Sequence, residues 1–195
     1  IVIILGMHRS GTSLTSNWLS LCGLNLGSHM MHGNSYNPKG HFEDWDFLNL
    51  HNYFIRKKAL PFFITENDNF FIDDDFESYA NKIVKNKNQS NAQWGWKDPR
   101  NTFTLKLWLK IYPNAKVILV ERNGVDVSKS LVVRRDVYLD RSIRRFNWIK
   151  YFHLVRSSRQ PFGASGVIKT LEDGIDLWHK YLIEGRTVCE DLGEK

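Results

Sequence analysis

Arg9, Ser10, Gly11, Thr12 and Ser13 stand together in "GMHRSGTS" (6–13), where Gly6 and Gly11 bracket a short run holding a cation and hydroxyls. Set between a strand and a helix, such a run aims several backbone N–H groups and the positive end of a helix dipole at one spot. That is an anion site whatever the side chains are. Arg9 would add positive charge inside the loop, and Thr12 and Ser13 would add hydroxyl donors. The chemistry on offer is capture of a phosphate-like group; the plainer alternative is a structural turn with a capping serine.

The glycine spacing is that of the nucleotide loop GxxxxGK[ST], but Thr12 stands where that loop carries lysine. Nucleotide hydrolases of that type also place an aspartate after a later strand to hold Mg²⁺. Here the clearest later strand, "AKVILVER" (115–122), ends in Glu121-Arg122. The pattern points to a phosphate-bearing ligand met by arginine and hydroxyls in place of a metal. Arg122 lies at a strand end and Ser130 follows within the next expected helix. Together they could grip a second phosphate, because arginine offers a bidentate fork. Ligands of parallel α/β sheets collect at the carboxyl ends of the strands, which is where Arg122 falls.

Further chemistry-bearing residues lie in "WKDPRN" (96–101), with Lys97, and in "NPKGHFED" (37–44), with Glu43. Glu43, Asp44 and Asp46 would equally suit the first turn of a helix. His8 sits inside the loop and reads as packing. His29 and His32 have a spacing that can bind metal, but no third ligand stands near them, so no metal site is expected.

The two phosphate signatures resemble the sulfotransferases that use 3′-phosphoadenosine 5′-phosphosulfate (PAPS). Arg9-Ser10-Gly11-Thr12-Ser13 is similar to that family's [KR]-S-G-T-[TS] loop for the 5′-phosphosulfate. Arg122, Asp126 and Ser130 are similar to its R-x(7)-S signature for the 3′-phosphate. "WKDPRN" resembles a Lys-Asp-Pro segment whose lysine, here Lys97, approaches the sulfonate. "NPKGHFED" resembles a stretch whose acid, here Glu43, is a base, with His41 and Asp44 as substitutes. "CEDL" (189–192) is similar to the family's Tyr-Glu-Asp-Leu. The resemblance implies metal-free, in-line transfer of a sulfonate to an acceptor hydroxyl, leaving 3′,5′-adenosine bisphosphate (PAP). Arg9 and Lys97 would then neutralise developing charge, with Glu43 as base. Gly124 departs from a common proline and Cys189 from tyrosine.

Positioning these groups requires an α/β fold, a single domain over 1–195 with a central parallel sheet flanked by helices and a P-loop-like strand-loop-helix. "IVIIL" (1–5) is a short β-branched run of the kind buried on both faces. Thr12 to Leu21 has helical spacing, with Leu14, Trp18 and Leu21 on one side; Trp18, Trp108 and Trp178 are expected in the core. Helices are expected over 41–59, from Asp73 to Asn88, over 101–112 ahead of Pro113, and from Asn123-Gly124 to about Arg135. "QWGWK" (93–97) reads as a strand, and either of its tryptophans could line a pocket. A basic, aromatic helix is expected from Asp140 to Ser158 and a further helix over 172–184. "RTVCEDL" (186–192) starts as a possible last strand.

The chain has 195 residues, 42% hydrophobic and 25% charged, a globular composition. It offers no run of the roughly 20 apolar residues a membrane span needs. It begins at Ile1 inside an expected strand, which suggests trimming there, and the resemblance implies truncation at the other end, since a basic Gly-rich segment of that family is not reached by Lys195. A cytoplasmic location is favoured, or the Golgi lumen if an anchor preceded Ile1. Two cysteines make neither a disulfide framework nor a metal site. Net charge is +6, and the stretch 97–160 carries fifteen Lys and Arg against five Asp and Glu. Such asymmetry suits an anionic ligand or acceptor. Two other classes compete: a P-loop small-molecule kinase, and a non-catalytic basic module holding nucleic acid or a glycan through residues 141–159. The missing lysine disfavours the first, and nucleic acid is not the expected partner.

Overall fold

The computed structural model describes residues 1–33, 37, 40–57, 63–64, 73–88, 93–144 and 168–193. β1 (Val2–Leu5) is the middle of a three-stranded sheet, parallel to β2 (Gly95–Lys97) on one side and β3 (Lys116–Leu119) on the other. Val2 is in register with both Gly95 and Lys116, Ile4 with Lys97, and Leu5 with Leu119. Ile3, Ile4 and Leu5 are wholly enclosed, as the β-branched run required. All three strands therefore release the chain at one edge of the sheet. Their next residues stay in step, with Val120 N–H donating to Leu5 O and Asp98 N–H to Ile4 O.

Helices pack on this sheet in two groups. α2 (Trp45–Lys57), α3 (Asp74–Asn88) and α4 (Asn101–Ile111) build one core, in which Phe47 stacks on Trp96 at 4.3 Å and Trp108 meets Trp96 edge-on at 4.9 Å. Both Trp94 and Trp96 are buried in this core. α5 (Gly124–Arg144) and α6 (Leu171–Glu190) build a second core around Val127, Leu131, Leu177 and Tyr181. α3 opens where the acids predicted it, the Asp73 carboxylate accepting from Phe76 N–H.

Three expectations needed correction. Leu14, Trp18 and Leu21 do share one side of α1 (Thr12–Leu21), but they face outward, at 59%, 66% and 79% exposure. The inward face holds Thr12 and Ser16, small residues that let α1 lie close to β1 and β2. The stretch from Arg186 is helix, not strand. Leu177, Tyr181, Gly185 and Val188 keep the period of a buried stripe to the end of α6, which a Thr170–Asp173 capping box opens. The helix expected to close near Arg135 runs on to Arg144, while residues 145–158 of the expected basic helix lie outside the described residues.

Candidate functional site

The loop from β1 to α1 is shaped by its glycines. Gly6 has φ 135°, and a Cβ there would fall 2.4 Å from Val120 O, so only glycine lets the chain turn this close to the end of β3. Ser10 then closes the turn on Met7 O through both its N–H (3.1 Å) and its hydroxyl (2.7 Å). Its side chain holds the loop from inside. Gly11, with φ 100°, is the N-cap of α1 and supplies no side-chain cap. The amides of Thr12 and Ser13 have no acceptor within the helix, so this N-terminus stays open to an anion.

Among the described residues, the non-glycine positions with left-handed backbone are Arg9 (φ 70°) and Phe42 (φ 53°). Each such residue stores of order 1 kcal/mol or more of strain. Both sit in the loops that face the cleft. Arg9 uses the bend to send its Nε to Ser130 Oγ on α5, 2.9 Å away across 121 residues of sequence. Arg122 leaves β3 and donates to Arg9 O at 3.2 Å. Its contact with Asp126 is long, 3.9 Å, and exposed, so it contributes little. The two phosphate signatures of the sequence thus form one continuous wall.

The opposite wall carries Lys97 and Glu43. Lys97, at the end of β2, is 2% exposed, and its ammonium donates to Glu43 Oε1 at 2.6 Å; Glu43 is 13% exposed. Glu43 is anchored through its carbonyl, which accepts from Met31 N–H at 2.7 Å. The Ser13 hydroxyl ties the two walls together, donating to His41 O and accepting from Asn37 Nδ2. Pro38 and Lys39 of the same stretch lie outside the described residues. Asp44 turns elsewhere: it accepts from Asp46 N–H and pairs with Lys87 at 2.6 Å, beneath the start of α2.

Behind Lys97 lies a buried polar unit that sequence reasoning missed. The Asp98 carboxylate takes Arg100 bidentately, at 2.8 and 2.7 Å, and also His51 Nδ1 at 2.9 Å. Arg100 reaches Asn52 as well, and Asn101 Nδ2 donates to Ile4 O, pinning the turn after β2 to β1. Burial opposes ionisation of Asp98, yet Arg100 and His51 hold its carboxyl well below the usual range. Burial lowers the His51 pKa against the pull of Asp98, so Nδ1–H donates to Asp98 and Nε2 faces the Thr104 hydroxyl. "DPR" reads in sequence as a strand end; its buried fork shows only once α2 brings His51 and Asn52 to it.

Glu43, Lys97, Arg9, Arg122 and a further cation, Arg134, line one cleft of ≈ 220 Å³, together with Thr12, Ser13 and His41. Arg134 stands one helical turn after Ser130, and continuing that period along the helix would have found it. Burial, then Arg134, then Arg122 lower the Arg9 pKa. His41 is lowered by burial; Glu43 opposes, while Lys97, Arg134 and Arg9 add to the fall. His8 is fully enclosed and driven well below the usual range by burial and next by Arg134, and it packs edge-on to Phe63 and Tyr181. An anion entering this cleft meets oriented amides and four side-chain cations, with Glu43 as its carboxylate.

Among the described residues no cluster of three or more His, Cys, Asp or Glu could hold a metal, so His29 and His32 gain no third ligand there. No described helix is long and apolar enough to cross a membrane. Compared with known families, residues 2–193 match the family model described as "Sulfotransferase family". No curated protein and no solved structure matches the chain.

Proposed function

The chain belongs to the sulfotransferase family, and we propose that it moves a sulfonate from PAPS to an acceptor hydroxyl by metal-free, in-line displacement. The observation that carries the reading is the single wall made by Arg9, Ser130 and Arg122 facing Lys97 and Glu43 across one cleft. The donor, when bound, supplies an activated sulfonate: the acceptor oxygen bonds to sulfur as the bond from sulfur to the 5′-phosphate oxygen breaks.

The residues divide that work by position. The open amides of Thr12 and Ser13, with Arg9, receive the 5′-phosphosulfate end. Arg122 and Ser130 receive the 3′-phosphate, Ser130 exchanging its bond from Arg9 for one to the ligand. Lys97 meets the sulfonate and the charge that develops on the departing oxygen. A transferring sulfonate carries one negative charge, so fixed cations and dipoles suffice without a divalent ion. Glu43 takes the acceptor proton on the carboxylate whose Oε1 Lys97 holds in place. The acid needs to reach only the hydroxyl proton, which places the acceptor on the Glu43 side.

Calorimetry with PAP and with ATP, both in chelator, tests the donor half. PAP should bind clearly and ATP poorly, and the reverse order would remove the sulfotransferase reading of this cleft in favour of a kinase. Arg9→Ala and Arg122→Ala should each weaken PAP by about 10–100-fold, the worth of one charge-assisted hydrogen bond.

A further inference from the structure

Arg122 stands between two anchors. The bond from Val120 N–H to Leu5 O holds the chain just before it. Just after it the Asn123 carboxamide caps α5, accepting from Val125 N–H at 2.9 Å, and the Asn123 carbonyl accepts from Val127 N–H within the helix. The Arg122 carbonyl falls outside that ladder, and the indole of Trp178 on α6 donates its Nε1–H to it at 3.0 Å. The same indole lies against Gly124, where a Cβ would fall 2.6 Å from ring carbon Cε3 and 2.7 Å from Cδ2. Trp178 therefore fills the room that any side chain at 124 would need. Together with Met7, Ser10 and Arg122 it lines a small cavity behind the loop, so one ring backs both the strand end and the cradle. α6 reaches this strand end once more through Arg186, which donates to both carboxylate oxygens of Glu121 at 2.7 Å. That pair is exposed and adds little.

We propose that Trp178 is a positioning residue for the donor: it fixes the Arg122 backbone so that the guanidinium meets a 3′-phosphate, and it thereby sets the preference for a 3′-phosphorylated nucleotide. The proposal rests on the assignment of Arg122 to the 3′-phosphate and deepens it by naming what holds that arginine. A charge-assisted fork depends on direction as well as distance, and a binding side chain must be held to within about 0.5 Å by the packing and hydrogen bonds around it. Arg122 is long and 45% exposed, and its guanidinium meets the loop at Arg9 O, 3.2 Å away. The root of such a side chain is what the fold can fix. An indole suits that task, because it is rigid, turns about only two side-chain torsions and carries a single N–H donor.

The test uses the full chain and two probes that differ by one phosphate, PAP and adenosine 5′-monophosphate. Calorimetry on the wild-type protein should show PAP binding at least about tenfold tighter, as a contact to Arg122 requires. Trp178→Phe keeps an aromatic ring and deletes the N–H donor. It should weaken PAP about 3–10-fold and the monophosphate less than about twofold. In the Arg122→Ala background the same change should move PAP affinity less than about twofold, because Trp178 acts through Arg122. Thermal melts check that Trp178→Phe folds. If it does not, Gly124→Ala carries the test, since the added Cβ displaces the indole from the other side and should give the same pattern. Equal weakening of the two probes, losses that add to those of Arg122→Ala, or unchanged PAP affinity would each overturn the positioning role while leaving the donor assignment standing. A wild-type protein that binds both probes alike fails at an earlier step: Arg122 then meets no 3′-phosphate, and the donor assignment falls together with the role of Trp178.

Discussion

Replacing Lys97 by methionine and Glu43 by glutamine, singly and together, tests whether the two act as one unit. The pair is close, at 2.6 Å, and sits where Lys97 is 2% and Glu43 13% exposed. At an effective dielectric near 20 two such charges attract by about 4 kcal/mol or more, much of it offset by the cost of taking both out of water. Removing one partner leaves the other charge stranded, which costs about 3–5 kcal/mol for a buried pair. Glu43 opens onto the cleft and can hydrate, so Lys97→Met should fall near the low end, about 3 kcal/mol. Glu43→Gln leaves an ammonium in a drier place, though the amide oxygen still accepts, and a similar loss of about 3 kcal/mol is expected. The double variant should cost about 3 kcal/mol as well, giving a coupling of about 3 kcal/mol. Urea unfolding of the four proteins at pH 7.5 measures it. Losses that simply add, to within about 0.5 kcal/mol, would refute a buried, coupled pair. In transfer assays Lys97→Met should lose about 10²–10³ in rate and Glu43→Gln about 10²–10⁴. Near-normal turnover by Glu43→Gln would remove it as the base.

Acid should destabilise the fold earlier than its carboxylates alone would require. Burial holds the folded-state pKa of His8 and His51 below the ordinary 6.5, so below that pH the unfolded chain binds protons that the folded chain refuses. Stability should fall as pH drops from about 6.5, by about 1.4 kcal/mol per pH unit for each histidine that stays neutral. Asp98 runs on a lower window: its depressed pKa contributes stability above about pH 4, lost only in stronger acid. A urea midpoint unchanged between pH 7.5 and 5 would contradict the neutral, buried histidines. Gly6→Ala should move the loop or part β1 from β3, costing about 2–4 kcal/mol and lowering PAP affinity at least about 100-fold; a variant that binds PAP normally would show the cradle is not built as described. Arg100→Leu should cost about 3–5 kcal/mol, and less when combined with Asp98→Asn; a loss under about 1 kcal/mol would mean the buried fork is not formed in solution.

Elements whose own residues decide their state were legible in the sequence. β1 follows from a β-branched run, α1 from the loop that opens it, and α4 from periodic apolar residues closed by Pro113. Arg9, Glu43, Lys97 and Arg122 were legible as groups, and the structure brings them to one cleft. What could not be read depends on partners far along the chain. Leu14, Trp18 and Leu21 mark one face of α1, but period alone does not say whether that face meets the sheet; the close fit of Ser16 against it decides. Cys189 breaks no visible rule in a strand, yet the stripe ending at Val188 keeps the chain helical. His51 carries no signal beside Asn52 until Asp98 and Arg100 arrive from the end of β2. Arg134 was hidden differently, one turn past a motif that reading had already closed at Ser130.

The central place of β1 fixes when the cleft can exist during folding. Both neighbours of β1 come from much later in the chain, and the bonds that finish the site span 97 residues (Asn101 to Ile4) and 121 residues (Arg9 to Ser130). Local contacts can form α1 early, but its open N-terminus gains its walls only after these long loops close, an entropic cost that slows folding. On a ribosome β1 has no sheet partner until β2 has emerged, and the bond from Arg9 to Ser130 must wait for α5. A ligand that engages both Arg9 and Ser130 therefore recognises only the finished topology. It would stabilise that state by mass action, raising the melting temperature in proportion to the logarithm of its concentration over Kd.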